Sequence, residues 1–169
     1  MPNNALLDHL LDLPEPERLK ELRGLTEQER FEFRFHWRLW ARQSQLAPDG
    51  DWRMWLVMAG RGFGKTRAGA EWVRAVADAD PSARIALVGA SHGDARAVMI
   101  EGESGVLAVC APGRYPVFEP SLRRLTWPNG AQATVYSALE PESLRGPQHS
   151  HALWPDPERG LRQRKPGAA

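Results

Sequence analysis

Long apolar runs are missing from this sequence: no stretch approaches the roughly 18 consecutive residues that a membrane-spanning helix requires. No use of a membrane is therefore expected. An excess of charge of one sign is missing too. Lys and Arg number 22 against 21 Asp and Glu, a formal net charge of +1, so no global basic field points to nucleic acid and any such site must be a local patch. There is one cysteine, Cys110. This excludes an internal disulfide and fits a reducing, cytoplasmic setting; with no base partner in view, Cys110 carries no nucleophilic role. The N-terminus, MPNNALLDHLLDLPEPE, has acids where a secretory leader has a basic flank. No internal repeat is present. What remains, 169 residues of which 42% are hydrophobic and 25% charged, suffices for one domain with a real core and is short for two.

The first 47 residues read as helical. Leu6, Leu7, Leu10, Leu11 and Leu13 recur at three- and four-residue spacings until Pro14 and Pro16 break the pattern. Thr26 with Gln28 and Glu29 opens a second segment. The aromatic run from Phe31 to Trp40 is free of Gly and Pro, and its interleaved Glu and Arg favour a helix over a strand. Its aromatics are assigned to packing, in preference to base stacking.

After the turn signal Pro48-Asp49-Gly50 the pattern changes. Trp52 to Met58 is read as a buried strand, followed by a glycine-rich loop and an Ala-rich helix that Asp80-Pro81 ends. Ala83 to Ala90 is read as a second buried strand, and SHGDARAVMI as a helix capped by Ser91. Strand, loop, helix, strand, helix is the order of a parallel α/β sheet. Beyond Gly102, Tyr115–Phe118, Arg124–Trp127 and Ala133–Ser137 are β-like. Asn129-Gly130, between the last two, is a hairpin signal. The ending PDPERGLRQRKPGAA has no apolar periodicity and reads as a disordered tail.

The clearest chemistry lies in Ala59-Gly60-Arg61-Gly62-Phe63-Gly64-Lys65-Thr66. A triphosphate needs many donors converging without side-chain clashes, and glycines let successive N–H groups turn inward. The helix that follows adds its partially positive N-terminus. In this P-loop pattern the backbone from Gly60 through Phe63 to Gly64 would cradle phosphate, Lys65 would reach the β- and γ-phosphates, and Thr66 would ligate Mg²⁺. The usual pattern begins with glycine; Ala59 is small enough to stand there.

Beyond the loop, the segment GRGFGKTRAGAEWVR resembles the Walker A region of large terminases from tailed bacteriophages and gene transfer agents. The resemblance continues through ALVGAS, VMIEGESGVLAVCAP, EPSLRRLTWPNGAQATVYSALEP and SLRGPQH, and upstream through ARQSQLAPDGDWRMWL. It implies an α/β fold: an incomplete parallel P-loop NTPase sheet at 48–154 between the helical segment at 1–47 and the tail at 155–169. It implies ATP and Mg²⁺ as cofactors. As partners it implies double-stranded DNA, a small terminase subunit and a portal protein, met during virion assembly in the bacterial cytoplasm. Arg61 sits where some terminases carry an arginine that stabilises the γ-phosphate; a solvent-facing or locally paired arginine is the other reading. Gln45 sits where such ATPases often recognise adenine through a two-sided amide; a polar turn residue is the alternative.

The resemblance breaks near the end. Terminases need an apolar strand closing in Asp-Glu after the LRG segment, where Asp holds the Mg²⁺ shell and Glu orients water. Here Asp156 and Glu158 are not adjacent, and Pro155 and Pro157 flank the Asp. A truncated or frame-shifted product is therefore expected, one that binds nucleotide but turns it over slowly, with the strands at Trp52–Met58 and Ala83–Ala90 left uncovered. An inert prophage remnant or a non-enzymatic interaction fragment is the alternative, and a free-standing P-loop kinase a more distant one. His149 and His151 with Asp156 read as solvated polar residues, not metal ligands. Arg123 and Arg124 read as a solvated face.

Overall fold

The computed structural model describes residues 9–10 and 12–154. Leu6, Leu7 and Leu11 of the leucine-rich stretch, and the expected tail at 155–169, lie outside the described residues. The chain divides into two compact units, Met1–Leu46 and Ala47–Ala169, each considered by itself.

In the first unit the helical residues His9, Leu10 and Asp12 give way to a bend at Leu13, and the prolines that follow also start the next helix. Helix α1 spans Glu15–Gly24 with Pro14 at its N-cap. A proline near a helix start costs nothing, because the first N–H groups have no intrahelical partner. Glu15 and Glu17 in the first turn and Arg23 in the last complement the helix dipole. Helix α2 spans Glu27–Arg34 and begins with a reciprocal capping box. The Thr26 backbone N–H donates to Glu29 Oε2 (2.8 Å), and the Glu29 N–H donates to Thr26 Oγ1 (3.3 Å). The aromatic run does not continue as one helix. The chain breaks after α2 and resumes as the short α3, Trp37–Trp40. No glycine or proline encodes that break; the Trp40 indole bridges it by donating to the Phe33 carbonyl (3.2 Å) while the two rings meet edge-on at 5.8 Å.

The second unit is built on a sheet. Helix α4 (Lys65–Ala79) follows the glycine-rich loop, and strand β1 (Arg84–Gly89) follows α4. A helical stretch comes next: one turn, α5 (His92–Asp94), runs directly into a π-turn at Ala95–Ile100, and the short α6 (Val106–Val109) lies beyond it. Strands β2 (Val117–Glu119), β3 (Arg124–Thr126), β4 (Gln132–Ser137) and β5 (His151–Leu153) complete the order β2-β3-β4-β1-β5. Strand β1 is parallel to β4, from Arg84 opposite Gln132 to Gly89 opposite Ser137, and parallel to β5. Strands β2 and β3, and β3 and β4, pair antiparallel. The sheet is thus mixed, which corrects the expected all-parallel one. The Asn129-Gly130 turn is the cause: it folds β3 back on β4, with Gly130 at φ 101° and Asn129 Nδ2 donating to the Ala77 carbonyl at the end of α4 (2.7 Å).

Strand β1 sorts its residues by strict alternation. Ile85 and Leu87 join Val73 and Ala77 of α4, Val106 and Val109 of α6, Met99, Ile100, Leu125 and Val135 in a cluster of 17 buried residues. Ala86 and Val88 face the other way, into a cluster of only three with Tyr136. The helix-bearing face therefore carries most of the hydrophobic stabilisation.

Two further expectations change here. Trp52–Met58 forms no ladder among the described residues; it is irregular, with a bend at Arg53, and Met54 is 84%, Leu56 66% and Met58 85% exposed. A strand needs a neighbour with free backbone groups. Both edges of β1 are taken by β4 and β5, and β5 is three residues long. The exposure foreseen for this segment is present, whereas the one foreseen for Ala83–Ala90 is not, because β4 and β5 flank that strand.

Candidate phosphate-binding site

The glycine-rich loop enters α4 through two left-handed glycines, Gly62 at φ 76° and Gly64 at φ 89°. A Cβ at Gly62 would meet nothing within 4 Å, so the demand for glycine there is one of backbone conformation, not of space. Gly64 is the N-cap of α4 and supplies no side-chain acceptor; no acid lies in the first turn. The first intrahelical bond runs from the Ala68 N–H to the Gly64 carbonyl (2.9 Å). The N–H groups of Lys65, Thr66 and Arg67 thus form a helix start with no side-chain cap and no acid in its first turn, which suits an anion.

Lys65 folds back over the loop. Its ammonium donates to the carbonyl oxygens of Ala59 (2.5 Å) and Gly60 (2.9 Å), placing one positive charge against the turn. Thr66 is half-buried beside it. Lys65, Thr66, Gly69 and Ala70 of α4, together with Met99 and Leu153, line a cavity of about 20 Å³. That holds about one water, so anything larger must lie on the open face of the loop. Arg61 is exposed and has no hydrogen-bond or ion-pair partner among the described residues. Phe63 is half-buried. Gln45 belongs to the other unit, in a 3₁₀ turn at Gln43–Gln45, where it is buried and its side-chain oxygen accepts the Arg42 backbone N–H (2.9 Å).

The helix that carries Lys65 and Thr66 also holds a charge the sequence reading passed over. Glu71 is buried on α4, bound by Arg67 (2.7 Å) and Arg74 (2.8 Å). The signal was an acid amid alanines on the apolar side of the helix, with basic partners at i−4 and i+3. Both carboxylate oxygens are engaged, and Arg67 points along the helix, away from the loop.

No group of three or more His, Cys, Asp or Glu among the described residues could hold a metal ion. His149 and His151 pack instead against aromatic rings, His149 edge-on to Tyr136 (5.1 Å) and His151 edge-on to Trp72 (5.8 Å). Burial pushes His149 below its usual value. Burial also pushes the Cys110 thiol up to about 11, which keeps it protonated and unreactive near neutrality. Asp156 and Glu158 lie outside the described residues.

Residues 56–156, more than half of the chain, match the family model described as the N-terminal region of the T4likevirus-type terminase large subunit. No curated protein matches, and no solved structure does.

Proposed function

The chain belongs to the family of T4likevirus-type terminase large subunits, in its N-terminal region, and from that premise we propose that it is the nucleotide-binding portion of a phage DNA-packaging ATPase. The observation that carries the reading is the loop itself: two left-handed glycines turn the backbone into an uncapped 15-residue helix, with the Lys65 ammonium drawn over the turn. A glycine turn into an uncapped helix N-terminus with a cation laid over it suits a polyphosphate. ATP would place its phosphates along Gly60–Thr66. Lys65 would exchange its two carbonyl acceptors for phosphate oxygens, and the Thr66 hydroxyl would serve as a ligand of Mg²⁺, which neutralises phosphate charge when bound. Exposed and without a partner among the described residues, Arg61 is available to the developing charge. Double-stranded DNA, a small terminase subunit and a portal protein are the partners this role entails.

Hydrolysis calls for more than binding. The loop and Lys65 bear on binding, so the proposal rests on Mg-ATP binding at Gly60–Thr66. Titration calorimetry with the full chain tests it. Wild type is expected to bind Mg-ATP, and Lys65→Ala to lose at least about tenfold in affinity, or 1.4 kcal/mol. Equal affinities in the two proteins would overturn the reading.

A further inference from the structure

Because β1 and β4 are parallel, both end at the same edge of the sheet, where Leu153, the last residue of β5, lines a cavity with Lys65 and Thr66. Three loops meet at that edge. The connection after β1 carries Ser91 and, at the start of α5, His92. The loop after β4 carries Glu140 and is locked in place: the Ala138 N–H donates to the Gly89 carbonyl (2.8 Å) and Ser137 Oγ to the Ala90 carbonyl (3.3 Å). The third loop, between β2 and β3, carries Arg123, the one non-glycine residue with positive φ (52°) among the described residues. Its carbonyl accepts the Val135 N–H (2.8 Å), which holds it in that unfavourable conformation.

His92 Nε2 lies 2.7 Å from Arg123 Nη1 and 3.4 Å from Glu140 Oε2. These two contacts are chemically incompatible. A guanidinium has only donors and a carboxylate only acceptors. Beside Arg123, Nε2 must therefore accept, so the ring is neutral with its proton on Nδ1. That atom is buried and has no partner among the described residues. To bond Glu140, Nε2 must carry a proton, in the neutral Nε2–H tautomer or in the imidazolium; either form turns an N–H toward the donors of Arg123, and the imidazolium faces it as a like charge as well. The other charged group close in sequence, Asp94, is already engaged by Ser91 Oγ (2.9 Å). Arg124 is taken by Glu119 (3.0 Å) and Arg96 by Glu101 (2.8 Å). His92 is left with two mutually exclusive partners on two different loops.

We propose that His92 is a proton-driven partner switch: the neutral ring ties the loop after β1 to Arg123, and the protonated ring releases Arg123 and ties the same loop to Glu140. The exchange costs little in backbone motion, since Glu140 already lies within 3.4 Å. It frees an arginine at the same edge of the sheet as Lys65 and Thr66. It does not depend on nucleotide binding.

The test is nitrogen and carbon NMR of the labelled full chain across the His92 titration. At alkaline pH the ring is expected as the Nδ1–H tautomer. As the ring takes up its proton, the Arg123 guanidinium and Glu140 carboxyl signals are expected to move in step with it. In Arg123→Gly, which removes the guanidinium and suits the φ of 52°, the alkaline ring is expected to change to the Nε2–H tautomer and donate to Glu140. An Nε2–H tautomer in the alkaline wild type, or a Glu140 carboxyl unmoved through ring protonation, would overturn the switch.

Discussion

Glu71 sits on the core side of α4 with a side chain 1% exposed, and each of its oxygens is held by an arginine. Burying a carboxylate is costly, and the cost is offset only while both partners stay. Arg67 reaches solvent more readily than Arg74, at 35% against 17% exposed, so its bond is the more screened of the two. Arg67→Ala is accordingly expected to lower stability by about 1 kcal/mol and Arg74→Ala by about 2. The double variant should lose clearly more than the sum, because it strands a buried charge. Urea unfolding of the four proteins checks this; strict additivity would show that Glu71 is not shared between the two arginines. His149 supplies a pH dependence. Burial holds its folded pKa below 6.5, while in the unfolded chain the ring titrates near that value. The unfolded state then binds the proton first, so stability is lost as pH falls through 6.5 and the loss levels off once the folded ring is protonated too. His149→Phe keeps an edge-on ring against Tyr136 and removes the titration. Its urea midpoint is expected to fall less than that of wild type between about pH 7 and pH 5.5, and equal slopes would remove His149 from the account.

At the scale of elements, what the sequence made legible was what is local. Helix α4 and strand β1 fall where glycine punctuation, alanine content and Asp80-Pro81 put them, because each signal acts within a few residues. The Asn129-Gly130 hairpin is local as well, though its consequence was missed: it makes the sheet mixed. The Trp52–Met58 segment shows why the remainder was hidden. Its apolar composition is strand-like, yet a strand is a relation to a neighbour, and none of the five described strands pairs with it, β1 being flanked by β4 and β5. The same holds for the cluster at the carboxyl edge, where His92 is 31 residues from Arg123 and 48 from Glu140; no spacing rule reaches that far. In the phosphate loop, by contrast, Gly62, Gly64 and Lys65 are neighbours in sequence and so were readable together. The irregular segment also carries its own consequence. Met54, Leu56 and Met58 present exposed apolar side chains close together in sequence, surface that favours association. Replacing Met54 and Met58 with Lys removes apolar surface without touching the core. Stability is expected to stay within about 0.5 kcal/mol while concentration-dependent association, followed by sedimentation velocity, declines. Unchanged association would assign it to another surface.

For the whole molecule, the near balance of 22 basic and 21 acidic residues means that no long-range field gathers anions, so whatever draws a polyphosphate to this chain must act at short range. That confines the effect to the loop at Gly60–Thr66 and makes nucleotide binding readable as stability. A ligand that binds only the folded state stabilises it by RT ln(1 + [L]/Kd), about 2.7 kcal/mol at a hundredfold excess over Kd. For a unit of this size that is a rise of several degrees in Tm. Mg-ATP is therefore expected to raise the Tm of the wild type, and magnesium tripolyphosphate to do so in part, since both present the phosphates that the loop amides and Lys65 recognise. Lys65→Ala should unfold at nearly the wild-type temperature without nucleotide, because the contacts it loses are two bonds to carbonyls of an open loop, and it should gain little when Mg-ATP is added. The comparison separates two causes that a single melting curve would merge. If the variant melted much lower on its own, Lys65 would be holding the loop together; if it gained as much from Mg-ATP as the wild type does, the nucleotide would be binding elsewhere. Only a variant that is stable and unresponsive to Mg-ATP places the phosphates on Lys65.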